Sequence, residues 1–189
     1  SVEFGKKYNV RIHVRSSFNR NEGTIVKPRE EMMEKFTMSG VTSKSDEVKF
    51  NIYGIPDCPG IAQKIFTVLG EEKIYVNMIV QSTGKDGKAD ISFTVLKKDI
   101  DRVKAISEKI KTELKGDEVT FQDNIAIVSA VGVGMLSSAG VAGKLFRILS
   151  EHNINIQMIS TSEIGISCVI DEMYAELAVK SIHKEFMEK

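Results

Sequence analysis

Residues 60–82 read GIAQKIFTVLGEEKIYVNMIVQS, and residues 140–162 read GVAGKLFRILSEHNINIQMISTS. The two stretches align without a gap at an offset of 80 residues, so that Phe66, for example, matches Phe146. Each stretch opens with apolar residues at helical spacing and continues, after a short polar break, into an apolar run typical of a strand. Matches at both core and polar positions indicate an internal duplication.

The pattern around each copy predicts an α+β fold with two ferredoxin-like units in tandem. Across residues 48–123 the order is strand, helix, two strands, helix and strand, which is the split βαβ arrangement. Residues 124–189 repeat this order but stop one strand short. A sheet that lacks one strand would expose a hydrophobic edge, which folded proteins avoid.

The spare strand is predicted at residues 9–15 (NVRIHVR), where apolar residues alternate strictly with basic ones. We predict that this strand, within the N-terminal segment of residues 1–16, completes the second sheet. The first unit would then be inserted between that strand and the rest of the second domain. A strand exchanged between molecules is the alternative. Residues 17–47 are polar and are interpreted as a connection with at most a short strand near residues 35–38.

The overall composition excludes several classes of protein. Basic and acidic residues number 26 each, so the formal net charge is zero, which argues against a broad nucleic-acid interface. No apolar run approaches the length of about 18 residues that a membrane helix needs. Two cysteines predict no disulfide framework, and three scattered histidines predict no metal site. A cytoplasmic protein is therefore expected.

The loop before the first duplicated helix, GIPDCPG at residues 54–60, has the features of an anion-binding turn. Asp57 is placed to cap the helix. The N–H groups of Gly60, Ile61 and Ala62 should point outward, and such a helix start attracts a carboxylate or a phosphate. A well-built turn without a ligand explains the same residues.

The matching loop of the second copy, GVGMLSS at residues 132–138, resembles half of a dinucleotide-binding fingerprint. It lacks the third glycine and lies in the wrong type of sheet, so we interpret it as a second anion site or as a turn. Cys58 has no histidine or second cysteine near it in the sequence. A stand-alone enzyme that uses Cys58 or this glycine loop is therefore the least favoured function, and no catalytic residue is predicted.

A set of polar residues follows each duplicated helix. Asn77, Gln81 and Ser82 in the first copy match Gln157, Thr161 and Ser162 in the second. Side-chain amides and strand carbonyls would bind an ammonium group while the helix start holds a carboxylate. Together they predict a receptor for a free amino acid, with solvated strand faces as the alternative.

Three stretches of the sequence resemble the C-terminal portion of aspartate kinases: GIPDCPGIAQKIF with VNMIVQS, ISTSEIGIS at 159–167, and YNVRIHVRSSFNRNEGTIV at 8–26. The resemblance spans nearly the whole chain. It implies tandem ACT domains that bind lysine, threonine or both for feedback inhibition where two ACT domains meet, and a homodimer formed through these domains. An assembly subunit of the same enzyme that binds no ligand is the alternative.

In the aspartate kinase family, a kinase domain or alpha subunit precedes these units, and the resemblance implies such a partner for this chain. That domain would bind ATP, magnesium and aspartate, so this chain alone is expected to be inactive and to need no cofactor. Residues 1–8 resemble the last helix of the kinase domain, and the sequence is expected to begin inside a longer protein.

Position by position, the resemblance assigns the effector contacts to Asp57, Gly60, Ala62, Asn77, Gln81, Ser162 and Glu163. The pattern of the first copy adds Ile61, Val76 and Ser82 to the predicted site. Many relatives have aspartate where Asn77 stands, and that acid contacts the ligand's ammonium group. The resemblance therefore predicts that Asn77→Asp tightens binding.

Overall fold

The computed structural model describes residues 8, 10–18, 22–26, 37–84, 86–133 and 140–188. The chain divides into two compact units, residues 1–35 and residues 36–189. In the first unit, β1 (Ile12–Val14) and β2 (Thr24–Val26) form a two-stranded antiparallel hairpin. The helix that the sequence predicts at residues 1–8 lies outside the described residues except for Tyr8.

The first repeat has the predicted βαββαβ order within the second unit, and its sheet has the order β5-β6-β4-β7, with every neighbouring pair antiparallel. Its elements are β4 (Glu47–Pro56), α1 (Ile61–Glu71), β5 (Val76–Thr83), β6 (Lys88–Leu96), α2 (Ile100–Leu114) and β7 (Glu118–Gln122). The ferredoxin-like prediction for this half is confirmed.

The second repeat has the same topology, but its fourth strand comes from upstream of the first repeat. Its elements are β3 (Thr37–Lys44), β8 (Ile125–Val133), α3 (Val141–Glu151), β9 (Met158–Ser162), β10 (Gly165–Asp171) and α4 (Ala175–Met187). The sheet order is β3-β8-β10-β9, so β3 takes the place that β7 has in the first sheet. The first repeat is thus inserted into the second, as predicted.

The strand that completes the second sheet is not the predicted one. The prediction places residues 9–15 there, but Ile12–Val14 pairs with Thr24–Val26, and Thr37–Lys44 pairs with β8. Residues 37–44 read TMSGVTSK, and a register shift between Met38 and Gly40 breaks their alternation. Of residues 38–44, for which burial is described, Met38 alone is fully buried, which explains why this strand looks like a connection in the sequence.

Each repeat builds a core between its sheet and its two helices. In β4, Val48, Phe50 and Ile52 are fully buried and share a cluster with Ile65 of α1 and Val103 of α2. Complete burial of an apolar side chain of this size contributes about 1.5–3 kcal/mol. The second repeat has a matching core formed by β8, β10, α3 and α4.

The sheet faces that carry no helices meet each other between the repeats. A third buried cluster joins Met78 of β5 to Ile125, Ile127, Met158 and Val169 of the second repeat. At one end of this interface, a 3-10 turn follows β6 and another follows β10. An ion pair links the two turns, with 3.1 Å between Lys97 Nζ and Glu172 Oε2. The repeats therefore share an interface as well as a chain.

Candidate functional site

The helix start that the sequence predicts as an anion site begins at Ile61. Gly60, the residue before α1, has a left-handed conformation with φ 94°, and no side chain caps the helix. The prediction that Asp57 caps α1 is wrong, because Asp57 stands three residues before Gly60 and the glycine makes the turn instead. The Asp57 N–H donates to the Gly87 carbonyl at 2.8 Å and ties the loop to the β5–β6 hairpin.

The first turn of α1 has donors without protein partners. The Ile61 N–H is directed at the Cys58 carbonyl at 3.4 Å, which is a weak hydrogen bond. In the described part of the chain, the N–H groups of Ala62 and Gln63 have no partner, and the first turn of α1 contains no acidic residue. The positive end of the helix dipole is therefore open to an anion.

A β-bulge decides which residues of β5 face the helices. Val76 lies opposite Val95, but after the register shift Gln81 lies opposite Ile91. Ile91 and Val95 pack in the same core as Ile61, so Val76 and Gln81 lie on the helix-covered face, and the loop before α1 is tied to the β5–β6 hairpin at the Gln81 end of the strand. Ser82 lies one residue further along β5, is exposed and belongs to the opposite face.

Asn77 lies in the bulge and contacts a residue that the sequence pattern does not single out. Its Nδ2 donates to Glu47 Oε1 at 2.7 Å. Glu47 is only 2% exposed, and its other oxygen, Oε2, is buried without a partner among the described residues. A buried carboxylate with a single amide partner is costly unless it has a further role.

The second repeat has a different contact at the position that matches Asn77. Gln157 Oε1 accepts from Lys49 Nζ at 2.9 Å, across the interface between the sheets. Burial lowers the pKa of Lys49 below its usual 10.5. Strict alternation along β4 places Glu47 and Lys49 on one face, but the sequence alone does not show that another sheet covers that face.

The strand registers show which residues of the two repeats correspond. In the first repeat, Glu47 lies opposite the residue that comes just before the 3-10 turn. In the second repeat, Ile125 lies opposite the residue that comes just before the corresponding turn, so Glu47 and Ile125 match. By the same register Lys49 matches Ile127. The second repeat therefore has isoleucines where the first has a buried acid and a partly buried base.

Ser162 and Glu163 lie at the β9–β10 hairpin, on a different hairpin from the other predicted site residues. Both are exposed, and Ser162 Oγ is directed at the Gly165 carbonyl at 3.4 Å. Of the glycine loop at 132–138, residues 134–138 lie outside the described residues. The Gly132 N–H donates to the Ile164 carbonyl at 2.8 Å, which links the start of this loop to the same hairpin.

The His, Cys, Asp and Glu side chains of the described residues form no metal centre. Cys58 is exposed, whereas burial raises the pKa of the Cys168 thiol to about 12. In the ranges that the structure describes, no group of three or more His, Cys, Asp or Glu side chains could hold a metal ion. No helix in those ranges is long and apolar enough to cross a membrane.

Comparison with known proteins gives a consistent result. Residues 51–109 and 128–186 each match the ACT domain family. Aspartokinase from Helicobacter pylori is 44% identical over 187 residues, which cover 97% of this chain and 46% of the relative. The chain thus spans about half the length of the curated relatives that it matches.

Two solved structures match this chain over nearly their whole length. The ligand-free regulatory subunit of aspartate kinase from Thermus thermophilus has a TM-score of 0.75 and 37% identity, and the match covers 79% of this chain and 99% of that one. A structure of aspartokinase alpha and beta subunits gives a TM-score of 0.74 and 41% identity, with the same coverage of 79% and 99%.

Proposed function

This chain belongs to the regulatory, tandem ACT-domain portion of the aspartate kinase family, and from that premise we propose that its first repeat binds lysine, threonine or both. Binding would provide feedback control of the kinase by the end products of the pathway. The observation that supports this most strongly is the open start of α1 beside the polar residues of β5. These are the complementary halves of a site for an amino acid's carboxylate and ammonium groups.

The carboxylate would bind at the first turn of α1. The N–H groups of Ala62 and Gln63 have no other partner in the described residues, and Gly60 has no side chain that would hinder access. Hydrogen bonds from such N–H groups and the helix dipole both favour a carboxylate, the dipole by about 0.3–1 kcal/mol.

The ammonium group would bind on the β5 side. Asn77 is exposed, and its Oδ1 has no partner among the described residues. Gln81 lies on the face that α1 covers and would hydrogen-bond the polar groups of the ligand. Asp57 and Ser82 would line the two ends of the site, and these assignments stay predictions.

We also propose that two chains associate through their ACT domains, with Ser162 and Glu163 completing a site contributed by both. Strands β5 and β9 are the edges of their sheets, and apolar residues on or beside them are exposed. Ile79 is 51% exposed and its match Ile159 is 42% exposed. Exposed apolar edges of this kind favour an isologous contact.

The activity of the whole enzyme is a further element of the proposal. The chain would act on a kinase domain or alpha subunit that transfers phosphate from ATP to aspartate. ATP and magnesium would be needed only by that domain, and the regulatory chain alone would have no kinase activity. A cytoplasmic location stays a prediction.

Thermal unfolding in the presence of L-lysine or L-threonine tests this function. A ligand at about a hundred times its Kd stabilises the fold by about 2.7 kcal/mol, which raises the melting temperature by several degrees. Gln81→Ala should abolish or reduce that shift, because it leaves a desolvated polar group of the ligand without a partner at a cost of about 1–3 kcal/mol. The variant should fold normally, since Gln81 is exposed.

Thr161→Ala is the matched control, because Thr161 is exposed and holds the equivalent position in β9. It should retain the full shift. A Gln81→Ala chain with the full shift would place the site elsewhere. If neither amino acid changes the melting temperature of the unaltered chain, the assembly-subunit alternative is favoured.

A further inference from the structure

Asn77 and Gln157 hold matching positions in the two repeats, and each is hydrogen-bonded to a charged residue of β4 through a different atom. Asn77 uses Nδ2 to donate to Glu47, at 2.7 Å. Gln157 uses Oε1 to accept from Lys49, at 2.9 Å. The charge on the β4 residue therefore fixes the orientation of each amide.

The orientation follows from hydrogen-bond chemistry. An ionised carboxylate only accepts, so Glu47 requires that Asn77 turn Nδ2 toward it and leave Oδ1 free. A lysine ammonium only donates, so Lys49 requires the reverse from Gln157, which leaves Nε2 free. At equivalent positions the first repeat thus presents an acceptor and the second repeat presents a donor.

We propose that Glu47 is a positioning and specificity-determining residue of the amino-acid site, an inference that rests on the proposed function. Glu47 holds Asn77 as an acceptor for the ligand's ammonium group. It also supplies, one hydrogen bond away, the negative charge that Asn77 itself lacks. A carboxylate, an amide and an ammonium in line strengthen one another, because each hydrogen bond polarises the next.

The burial of Glu47 gives this charge its effect. Glu47 is 2% exposed, and its Oε2 has no partner in the described ranges, so solvent screens the carboxylate little. Lys49 lies two residues along the same strand, but its Nζ is directed to Gln157. The second repeat has Ile125 at the place of Glu47 and a free amide N–H₂ at Gln157, so the matching position there selects against an ammonium group.

Glu47→Gln tests the inference by calorimetric titration with L-lysine and with L-threonine. The new side chain has the same shape but no charge, and its amide can accept from Asn77 Nδ2 or donate to Asn77 Oδ1, so Asn77 is no longer held as an acceptor and the negative charge behind it is lost. Affinity should fall about tenfold to a hundredfold. Stability should be unchanged or higher, because the substitution removes a buried charge.

The double variant Glu47→Gln with Asn77→Asp distinguishes a direct role from a purely structural one. It moves the carboxylate to position 77 and supplies a donor at position 47, so it should recover most of the affinity that the single variant loses. Glu118→Gln is the charge-matched control, since Glu118 is exposed on β7, and it should bind as the unaltered chain does.

Wild-type affinity in Glu47→Gln, or a double variant as weak as the single one, would overturn the role of Glu47 and leave the proposed function standing. A chain that binds neither amino acid before any substitution would overturn both. Urea unfolding of every variant shows that a loss of affinity is not a loss of folding.

Discussion

The inner faces of the two repeats occupy equivalent positions in one interface and differ in chemistry. At the positions where the second repeat has Ile125, Ile127 and Val169, the first repeat has Glu47, Lys49 and Thr94. The three residues of the second repeat belong to the apolar cluster between the sheets. The duplicated fold has therefore diverged into one half that contributes apolar surface and one half that contributes charge.

This difference is informative because a buried charge is seldom the more stable choice for such a face. Replacing a buried ionic group by a well-packed apolar one is often neutral or stabilising. Residues such as Ile125 and Ile127 show that this sheet face accepts apolar side chains. The charges of the first repeat are therefore best explained by a role in binding, on the side of the interface where Asn77 lies.

The largest expected effect comes from giving the second repeat the acid of the first. Ile125→Glu would bury a carboxylate without a partner in the apolar cluster and should lower the free energy of unfolding by about 3–5 kcal/mol. Urea unfolding measures this. Met173→Glu, at a well-exposed position after β10, should change stability by no more than about 0.5 kcal/mol. Equal effects of the two substitutions would show that the inner face is not apolar.

Asn77→Asp, which the resemblance predicts to tighten binding, should also destabilise the chain. The new carboxylate would face Glu47 Oε1, which lies 2.7 Å from Asn77 Nδ2, and should cost about 1–3 kcal/mol near neutral pH. The deficit should shrink as the pH is lowered, because protonation of the introduced carboxyl group removes the repulsion.

Gln157→Glu is the matching substitution in the second repeat, and its expected effect on stability has the opposite sign to that of Asn77→Asp. It places a carboxylate beside Lys49 Nζ and should leave stability unchanged or raise it. Denaturant unfolding of both variants at several pH values checks the pair. A stable Asn77→Asp chain at neutral pH would mean that the Glu47 contact does not hold Asn77.

Lys49→Met should have the smallest effect, a gain of at most about 1 kcal/mol near neutral pH, because the apolar side chain has no charge to desolvate. Burial lowers the pKa of Lys49 below 10.5, so the folded chain releases this proton before the unfolded chain does. Between the lowered pKa of Lys49 and 10.5, the free energy of unfolding of the wild type therefore rises with pH, whereas that of the variant has no such contribution. Unfolding curves at increasing pH should show the gain of Lys49→Met disappear; a constant difference would contradict the account.

The sequence predicts most of the fold because the duplication appears as a pattern. It predicts the order of strands and helices across residues 48–123 and 124–189, and both repeats have that order in the structure. The fourth strand of the second sheet escapes prediction for a physical reason. That strand, β3, is bulged, contains Gly40 and buries one methionine, so apolar and polar residues alternate less clearly in it than in the hairpin strand at residues 12–14. In the structure, however, β3 makes the longer pairing.

The candidate site could be predicted only as a set of positions. The glycine before α1 and the amides of β5 are visible in the sequence, but the bulge between Val76 and Ile79 is not. Because of that bulge, the Asn77 side chain faces Glu47 on the inner face of the sheet, whereas Gln81 lies on the face that the helices cover. Glu47 escapes prediction because an alternating EVKFN strand is typical of a solvent-exposed face, and only the packing of one repeat against the other buries it.

Hydrogen exchange of backbone amides, measured with and without saturating L-lysine or L-threonine, tests the central claim most directly. The claim is that the first repeat binds the amino acid through the start of α1 and through β5. It predicts slower exchange at Ala62 and Gln63 and across β5, with a smaller change or none at the matching residues 142–143 and at residues 158–161 of β9. Equal protection of both helix starts, or protection confined to α3 and β9, would contradict it.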